Sequence, residues 1–343
     1  MKFGVFDHMD RSGADLGQLY QNRLTLTEAY DRAGFYAYHV AEHHGTPLGL
    51  SPSPSVFLSA VAQRTGRLRF GPMVYVLSTY HPLRILEEIC MLDQLSGGRL
   101  EVGIGRGISP VELGFYGIKD ETEAKHRYEE TLSLLLEGGS GGPITHGGEY
   151  FSVEGFPMEL ELVQKPFPPL WYGVARPATA DWAAERGINC VGNGPAGAVR
   201  KITDQYRAAW QRLDRDPQDL PLLGMSRHIV VTDSDTEAYE EARAAYAQWF
   251  ANLNLLWVQR GIPIPLNFPS DFDDAVNAGF CVVGSPSTVR DRLLPQVEEA
   301  GINYLLGRLA FGNLAVDRSL RSVELLEEEV IPALAGVGAL PHG

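Results

Sequence analysis

Eight times along this chain a short apolar run is followed by a helical pattern, and that alternation constrains the fold more than any single motif. The strand-like runs are residues 2–6, 36–41, 68–75, 100–104, 170–174, 189–191, 222–231 and 304–309, short and apolar enough for burial on both faces. Helical patterns lie between them at 16–33, 55–65, 82–95, about 122–137, 178–186, 198–213 and 286–300, and one at 320–334 closes the chain. Gly34 and Gly66 end the first two helices, and Pro82 opens the third, where a missing N–H costs nothing. Repeated β-then-α units build a parallel sheet with helices packed outside it. Eight of them predict an α/β protein with a single (β/α)8 TIM barrel, although an open doubly wound sheet shares the periodicity. Such a barrel takes about 250 residues. The 343 residues present therefore leave room for two insertions, after strands four and seven, at about 138–169 and 235–280. The first carries Gly–Gly pairs and prolines; the second holds a long helical pattern at 236–257 and a Pro- and Asp-rich loop at 262–279. With no linker and no break in composition, one domain over residues 1–343 is expected.

Composition narrows the partners. Hydrophobic content of 44% and charged content of 21% are those of a soluble globular protein. The net charge is −14 and lysines and arginines do not cluster, which argues against nucleic acid or an anionic membrane surface as partner. The first strand begins at Lys2, leaving no room for a signal peptide, and no apolar run approaches the roughly 18 residues of a membrane span. Cys90, Cys190 and Cys281 are few and far apart, as expected of buried thiols in a cytoplasmic protein.

In a closed barrel, chemistry sits at the C-terminal ends of the strands. Strand two ends in Glu42-His43-His44, a carboxylate and two imidazoles whose ordinary pKa suits acid–base work near neutrality. Hydrogen-bonded core or loop residues would give the same pattern. Strand four ends in Gly103-Ile104-Gly105-Arg106-Gly107. Glycines admit the backbone close to an anion and Arg106 has the fork to grip a phosphate; an ordinary glycine turn explains the spacing as well. It is not the dinucleotide fingerprint. Strand five leads into Ala175-Arg176-Pro177-Ala178-Thr179, either a second anion site at a helix N-terminus or a simple cap with proline near its first position. Lys125, His126 and Arg127 would complete a phosphate cradle or form a solvated helix face. No metal is expected: consecutive side chains such as Glu42, His43 and His44 point opposite ways on a strand end, and neither H-E-x-x-H nor C-x-x-C occurs. The apolar helix at 247–257 fits a lid, a dimer face or plain packing, with packing the default.

Several stretches resemble one known family. They are Met1-Lys2-Phe3-Gly4, Gly34-Phe35, Glu42-His43-His44, His81-Pro82 and Leu92-Asp93-Gln94-Leu95-Ser96-Gly97-Gly98-Arg99. Gly103-Ile104-Gly105-Arg106-Gly107, Trp182-Ala183-Ala184, Val283-Gly284-Ser285-Pro286, Gly301-Ile302 and Val330-Ile331-Pro332 continue the match. Together they resemble the bacterial luciferase-like, flavin-dependent monooxygenases, close to the luciferase α-chain subgroup, in family order over nearly the whole length. The resemblance implies the barrel fold and a two-component monooxygenase. A separate flavin reductase supplies reduced FMN, which with O2 gives a flavin peroxide that oxygenates a small organic substrate. It implies that His43 is the acid–base residue beside that peroxide, with His44 its neighbour in the pocket. Arg106, between Gly105 and Gly107, matches the family's phosphate-gripping arginine. Met73 and Val74 fall where the family carries a non-prolyl cis peptide under the flavin ring. Ala175, Arg176, Pro177 and Thr179 match the phosphate contacts of loop five, but Arg176 and Pro177 replace an acid and a serine found in luciferase, and the loop is one residue shorter. A homodimer through barrel helices two and three is also implied. The alternatives are a deazaflavin-dependent dehydrogenase on the same barrel and a non-catalytic flavin-binding subunit.

Overall fold

In the computed structural model, which describes residues 1–264 and 268–334, the eight expected strands are present and run parallel. The series begins with β1 (Lys2–Asp7), β2 (Ala37–Val40), β3 (Arg69–Pro72), its two-residue continuation β4 (Tyr75–Val76) and β5 (Val102–Gly105). An antiparallel hairpin of β6 (Ile144–Gly147) and β7 (Ser152–Phe156) intervenes. The parallel set resumes with β8 (Leu170–Gly173), β9 (Asn189–Gly192), β10 (Leu223–Val231), β11 (Cys281–Gly284) and β12 (Tyr304–Arg308). Pairing runs β3–β2–β1–β12–β10–β9–β8–β5–β4, and a bridge between Phe70 and Leu100 joins β3 to the start of β5, bringing the ends of the path together. With β3 and β4 counted as one broken strand, the ring has the eight positions expected of the barrel.

The helices follow the strands as the periodicity requires. They are α1 (Leu16–Arg32), α2 (Pro54–Arg64), α3 (Pro82–Ser96), α4 (Pro110–Phe115), α5 (Glu121–Gly139) and α6 (Pro177–Glu185). Then come α7 (Ala196–Arg212), α8 (Asp235–Arg260), α9 (Phe272–Asn277), α10 (Pro286–Ala300), α11 (Val316–Leu325) and, after a π-helical turn, α12 (Ile331–Leu334). Proline stands at the first turn of α2, α3, α4, α6 and α10, and left-handed Gly97, Gly261 and Gly301 end α3, α8 and α10.

Four local features depart from the expected pattern. The run 68–75 is not one strand: it breaks at the cis Met73–Val74 peptide. The first excursion is less irregular than its composition suggests, since it holds the β6–β7 hairpin. β10 is nine residues long and outruns its neighbours, so its last four residues, His228–Val231, take β11 as an extra partner outside the ring. The loop expected at 262–279 contains α9, started by the Asp271 carboxylate accepting the N–H groups of Asp273 and Asp274; residues 265–267 of it lie outside the described residues.

The N-terminal end of the barrel is filled by side chains. Glu101, fully buried, is held by the Arg69 guanidinium, the Trp171 indole N–H and the Tyr36 hydroxyl. His39 and Tyr304 meet beside Trp171, with His39 Nε2 3.1 Å from the Tyr304 oxygen. α8 is packing and not a free lid: Ala238, Ala242, Ala245 and Trp249 are fully buried, Trp249 Nε1 donates to His8 Nδ1 (3.2 Å), and Asn252 Nδ2 donates to Asp10 (2.9 Å).

Candidate active site

The opposite end opens into a cavity of about 1290 Å3. Its wall includes His43, His44, Met73, Val74, Gly105, Arg106, Gly107, Ala175, Arg176 and Thr179. Those are all the site residues expected from sequence except Pro177, which is the exposed first residue of α6. Of the three basic residues that open α5, only Lys125 reaches the cavity. His126 faces Glu149 and Arg127 pairs with Glu123, the solvated helix face.

The three polar residues after β2 are held differently. Glu42 is buried and accepts from Val76 N–H (3.2 Å), Tyr80 Oη (2.9 Å) and His44 Nε2 (2.9 Å). Burial raises its pKa despite those donors. His44 has both ring nitrogens engaged, since Nδ1 also meets the Tyr116 hydroxyl at 2.8 Å. Among the described residues His43 is engaged on one side only. Its Nδ1 lies 3.2 and 3.3 Å from the two carboxylate oxygens of Glu112, leaving Nε2 as the second nitrogen. Burial works to raise the Glu112 carboxyl, but hydrogen bonds from His43 and from the His44 N–H (2.7 Å) prevail and hold it below its usual range. An ionised Glu112 fixes the proton of neutral His43 on Nδ1 and makes Nε2 the lone-pair nitrogen.

Glu112 is absent from the residues expected by sequence. It comes from α4, a six-residue helix inside what reads as a glycine loop. A signal was there: Ser109-Pro110-Val111-Glu112 has a capping serine, a proline at the first helical position and an acid in the first turn. The Ser109 hydroxyl does accept the Glu112 N–H (3.3 Å), while the Glu112 carboxylate turns to β2 instead of back to its own cap.

The glycines of loop four have a reason other than an anion. A Cβ on Gly103 would lie 2.3 Å from the Pro72 oxygen, and one on Gly105 2.5 Å from the Val74 side chain. Both are therefore required by the close approach of β5 to the cis segment. Gly107 differs, with a left-handed φ of 85° that turns the chain away. Arg106 between them reaches the rim and pairs with the exposed Glu121 at the start of α5. Arg176 caps α6 by backbone alone, and its side chain is exposed at the same rim.

Other wall residues come from the strands themselves. Phe6 is on β1 and His8 follows it, Val191 and Asn193 lie on or after β9, Ser226 is on β10, and Leu306 and Arg308 are on β12. The His8 ring lies 6.0 Å from that of His43 and is held neutral by burial and by the nearby Arg308.

The chain as a whole has known relatives. Residues 1–304 match the family described as luciferase-like monooxygenase, and the chain belongs to that family. Its enzyme class is that of the monooxygenases. It is 48% identical over 96% of its length, and 96% of the relative's, to the uncharacterized protein y4wF of Sinorhizobium fredii. It is 26% identical over 98% of its length to the oxygenase component of a flavin-dependent trigonelline monooxygenase of Acinetobacter baylyi, covering 96% of that protein. Among solved structures it superposes on the monooxygenase RslO1 of Streptomyces bottropensis with a TM-score of 0.87 and 26% identity, over 97% of this chain and 99% of that one.

Proposed function

We propose that the chain, as one domain, is the oxygenase of a two-component system that takes reduced FMN from a separate reductase and oxygenates a small organic substrate with O2. The observation that carries this reading is the pairing, at one cavity, of a one-sided histidine with a basic rim. His43 Nε2 has no partner among the described residues, and its ring shares the cavity wall with Met73, Val74, Arg106 and Arg176. The flavin-dependent, two-component relative agrees with it.

The residues present fit FMN. The cavity is larger than the roughly 300–1,000 Å3 of ordinary ligand pockets, at about 1290 Å3. Among the described residues Arg106 is paired only to an exposed carboxylate, and a surface pair of this kind is worth about 0–1 kcal/mol, so a phosphate would displace Glu121 readily. Arg106 would bind that phosphate with Arg176, Thr179 and the N–H groups opening α6. Met73 and Val74 would carry the ring, and the apolar wall from Phe6, Val191 and Leu306 would exclude water from it. Reduced FMN, when bound, supplies two electrons and the carbon that activates O2. His43 would hold or take a proton at Nε2, with Glu112 stabilising the resulting imidazolium. His44, bound at both nitrogens, would position loop two without exchanging protons. Val56 on α2 and Met91 and Leu95 on α3 are apolar and exposed, which suits a homodimer through these helices.

Anaerobic titration of the protein with reduced FMN and with reduced deazaflavin, followed by admission of oxygen, tests the reading. Saturable binding of reduced FMN and O2-dependent product formation are expected. Exclusive binding of the deazaflavin, with no reaction on oxygen, would replace the monooxygenase by a hydride-transfer enzyme.

A further inference from the structure

Arg308 is not among the residues to which the proposed function gives a part, yet it is a buried guanidinium in the cavity wall. It ends β12 and is 2% exposed. Its Nη1 donates to Ser226 Oγ (2.6 Å) and its Nη2 to Asn193 Oδ1 (3.1 Å), while the Ser226 hydroxyl itself donates to Asn193 Oδ1 (2.6 Å). Its Nε has no partner among the described residues. All its acceptors are neutral, and among the described residues no Asp or Glu pairs with it. Around it stand the rings of Phe6, Phe268 and Trp249, at 4.9, 5.7 and 6.0 Å from the guanidinium carbon. The second buried guanidinium nearby, Arg227, also meets only neutral oxygens, from Gln296, Gly194 and Ser226.

Buried charges are ordinarily paired, because aromatic faces and neutral hydrogen bonds recover only part of the lost hydration. Burial, with repulsion from Arg227, lowers the Arg308 pKa to about 9, which still leaves a cation at neutral pH. The missing counter-ion is not the flavin phosphate. In the ring order, β5 and β12 are four positions apart in either direction, so Arg308 lies across the barrel from the Arg106 loop. It is also set in a strand, inward of that rim.

We propose that the substrate carries a carboxylate and that Arg308, with the Asn193 amide beside it and Ser226 holding the two in place, receives it on the inner wall of the cavity. The guanidinium fork matches a carboxylate in plane and spacing. Asn193, whose oxygen is already taken by two donors, keeps its Nδ2 hydrogens as further donors at the cavity surface. The proposal rests on the same cavity being the flavin and substrate site, and its test separates the two.

Calorimetric titration of the full chain, without flavin and with reduced FMN under anaerobic conditions, compares acetate, benzoate and decanoate with their amides. At least one carboxylate is expected to bind about tenfold or more tightly than its amide, the margin of a charge-assisted bidentate contact. Arg308→Gln is expected to remove that preference, Arg308→Lys to keep part of it, and both to bind reduced FMN as the wild type does. The proposal is overturned if no carboxylate outbinds its amide in the wild type, a comparison that needs no variant. It is equally overturned if the preference survives Arg308→Gln, or if the variants lose reduced-FMN affinity instead, which would make the reduced ring the anion. A wild type that binds no reduced FMN but shows an Arg308-dependent carboxylate preference would remove the flavin reading and leave this one standing.

Discussion

Glu101 and Arg308 are both buried charges of the same barrel, one at each end, and they are housed in opposite ways. Glu101 meets a guanidinium, an indole N–H and a phenol, so its charge is matched although burial raises its pKa. Arg308 meets a hydroxyl, an amide oxygen and aromatic faces, with one N–H left over. The histidines differ in setting and not in the number of partners. His39, at the closed end, has Nε2 on Tyr304 and a buried Nδ1 without a partner among the described residues, inside an aromatic cluster, whereas His43 has Nδ1 on Glu112 and its ring in the cavity wall. A matched buried charge stabilises; an unmatched one is costly until a partner joins it.

Five measurements break or sharpen that contrast. The largest effect is expected for His43→Ala, which lowers turnover by about 10²–10⁴-fold, the usual worth of a general acid or base, with reduced-FMN affinity near normal. Undiminished turnover would remove His43 from the chemistry. Next is Glu101→Ala at the closed end. Urea unfolding is expected to show a loss of about 3–5 kcal/mol, the cost of orphaning one partner of a buried pair; a loss below about 1 kcal/mol would put the two ends on a par. Arg106→Ala follows, weakening reduced FMN by roughly 10–150-fold, the worth of a charged hydrogen bond, while riboflavin binding stays unchanged. Equal losses for both ligands would mean that Arg106 does not touch the phosphate.

The fourth concerns pH. Burial holds His39 near a pKa of about 3, against 6.5 when unfolded. The unfolded chain therefore takes up a proton as pH falls below 6.5 while the folded protein does not, and stability is lost in that direction. Comparing His39→Gln with the wild type between about pH 6 and 4 isolates the effect. The variant is expected to lose less, by about tenfold in the folding equilibrium per pH unit. Parallel curves would show that the imidazole is not kept neutral. The smallest effect is expected for Arg308→Met in urea, a change within about 1 kcal/mol, because a costly charge and its hydrogen bonds leave together. A loss as large as that of Glu101→Ala would make Arg308 structural.

The barrel was legible because its strands are buried on both faces: all nine residues of β10 are buried, as are all four of β2, β5 and β9. Strand ends then located the mouth, and with it Glu42, His43, His44 and Arg106. The break at Met73–Val74 escaped periodicity because residues 68–75 form one apolar run, and only the family resemblance marked it. α4 was missed because six residues are too few to show a helical stripe, although its cap was written in the sequence. Arg308 carries no motif, being a single polar residue at the end of a strand. Yet Leu305-Leu306-Gly307-Arg308-Leu309-Ala310-Phe311 sets a charge inside an apolar run, and burial of both flanks is what makes that charge informative.

Glu112 has a consequence for anyone who would exchange loops on this scaffold. One carboxylate accepts from both the His43 ring and the His44 main chain, so the loop after β5 and the loop after β2 form one mechanical unit. A foreign loop four would transplant poorly unless it brought an acid to the same place. Without it His43 loses the anchor that fixes its tautomer, and the graft would look like a broken histidine even though no histidine had been changed.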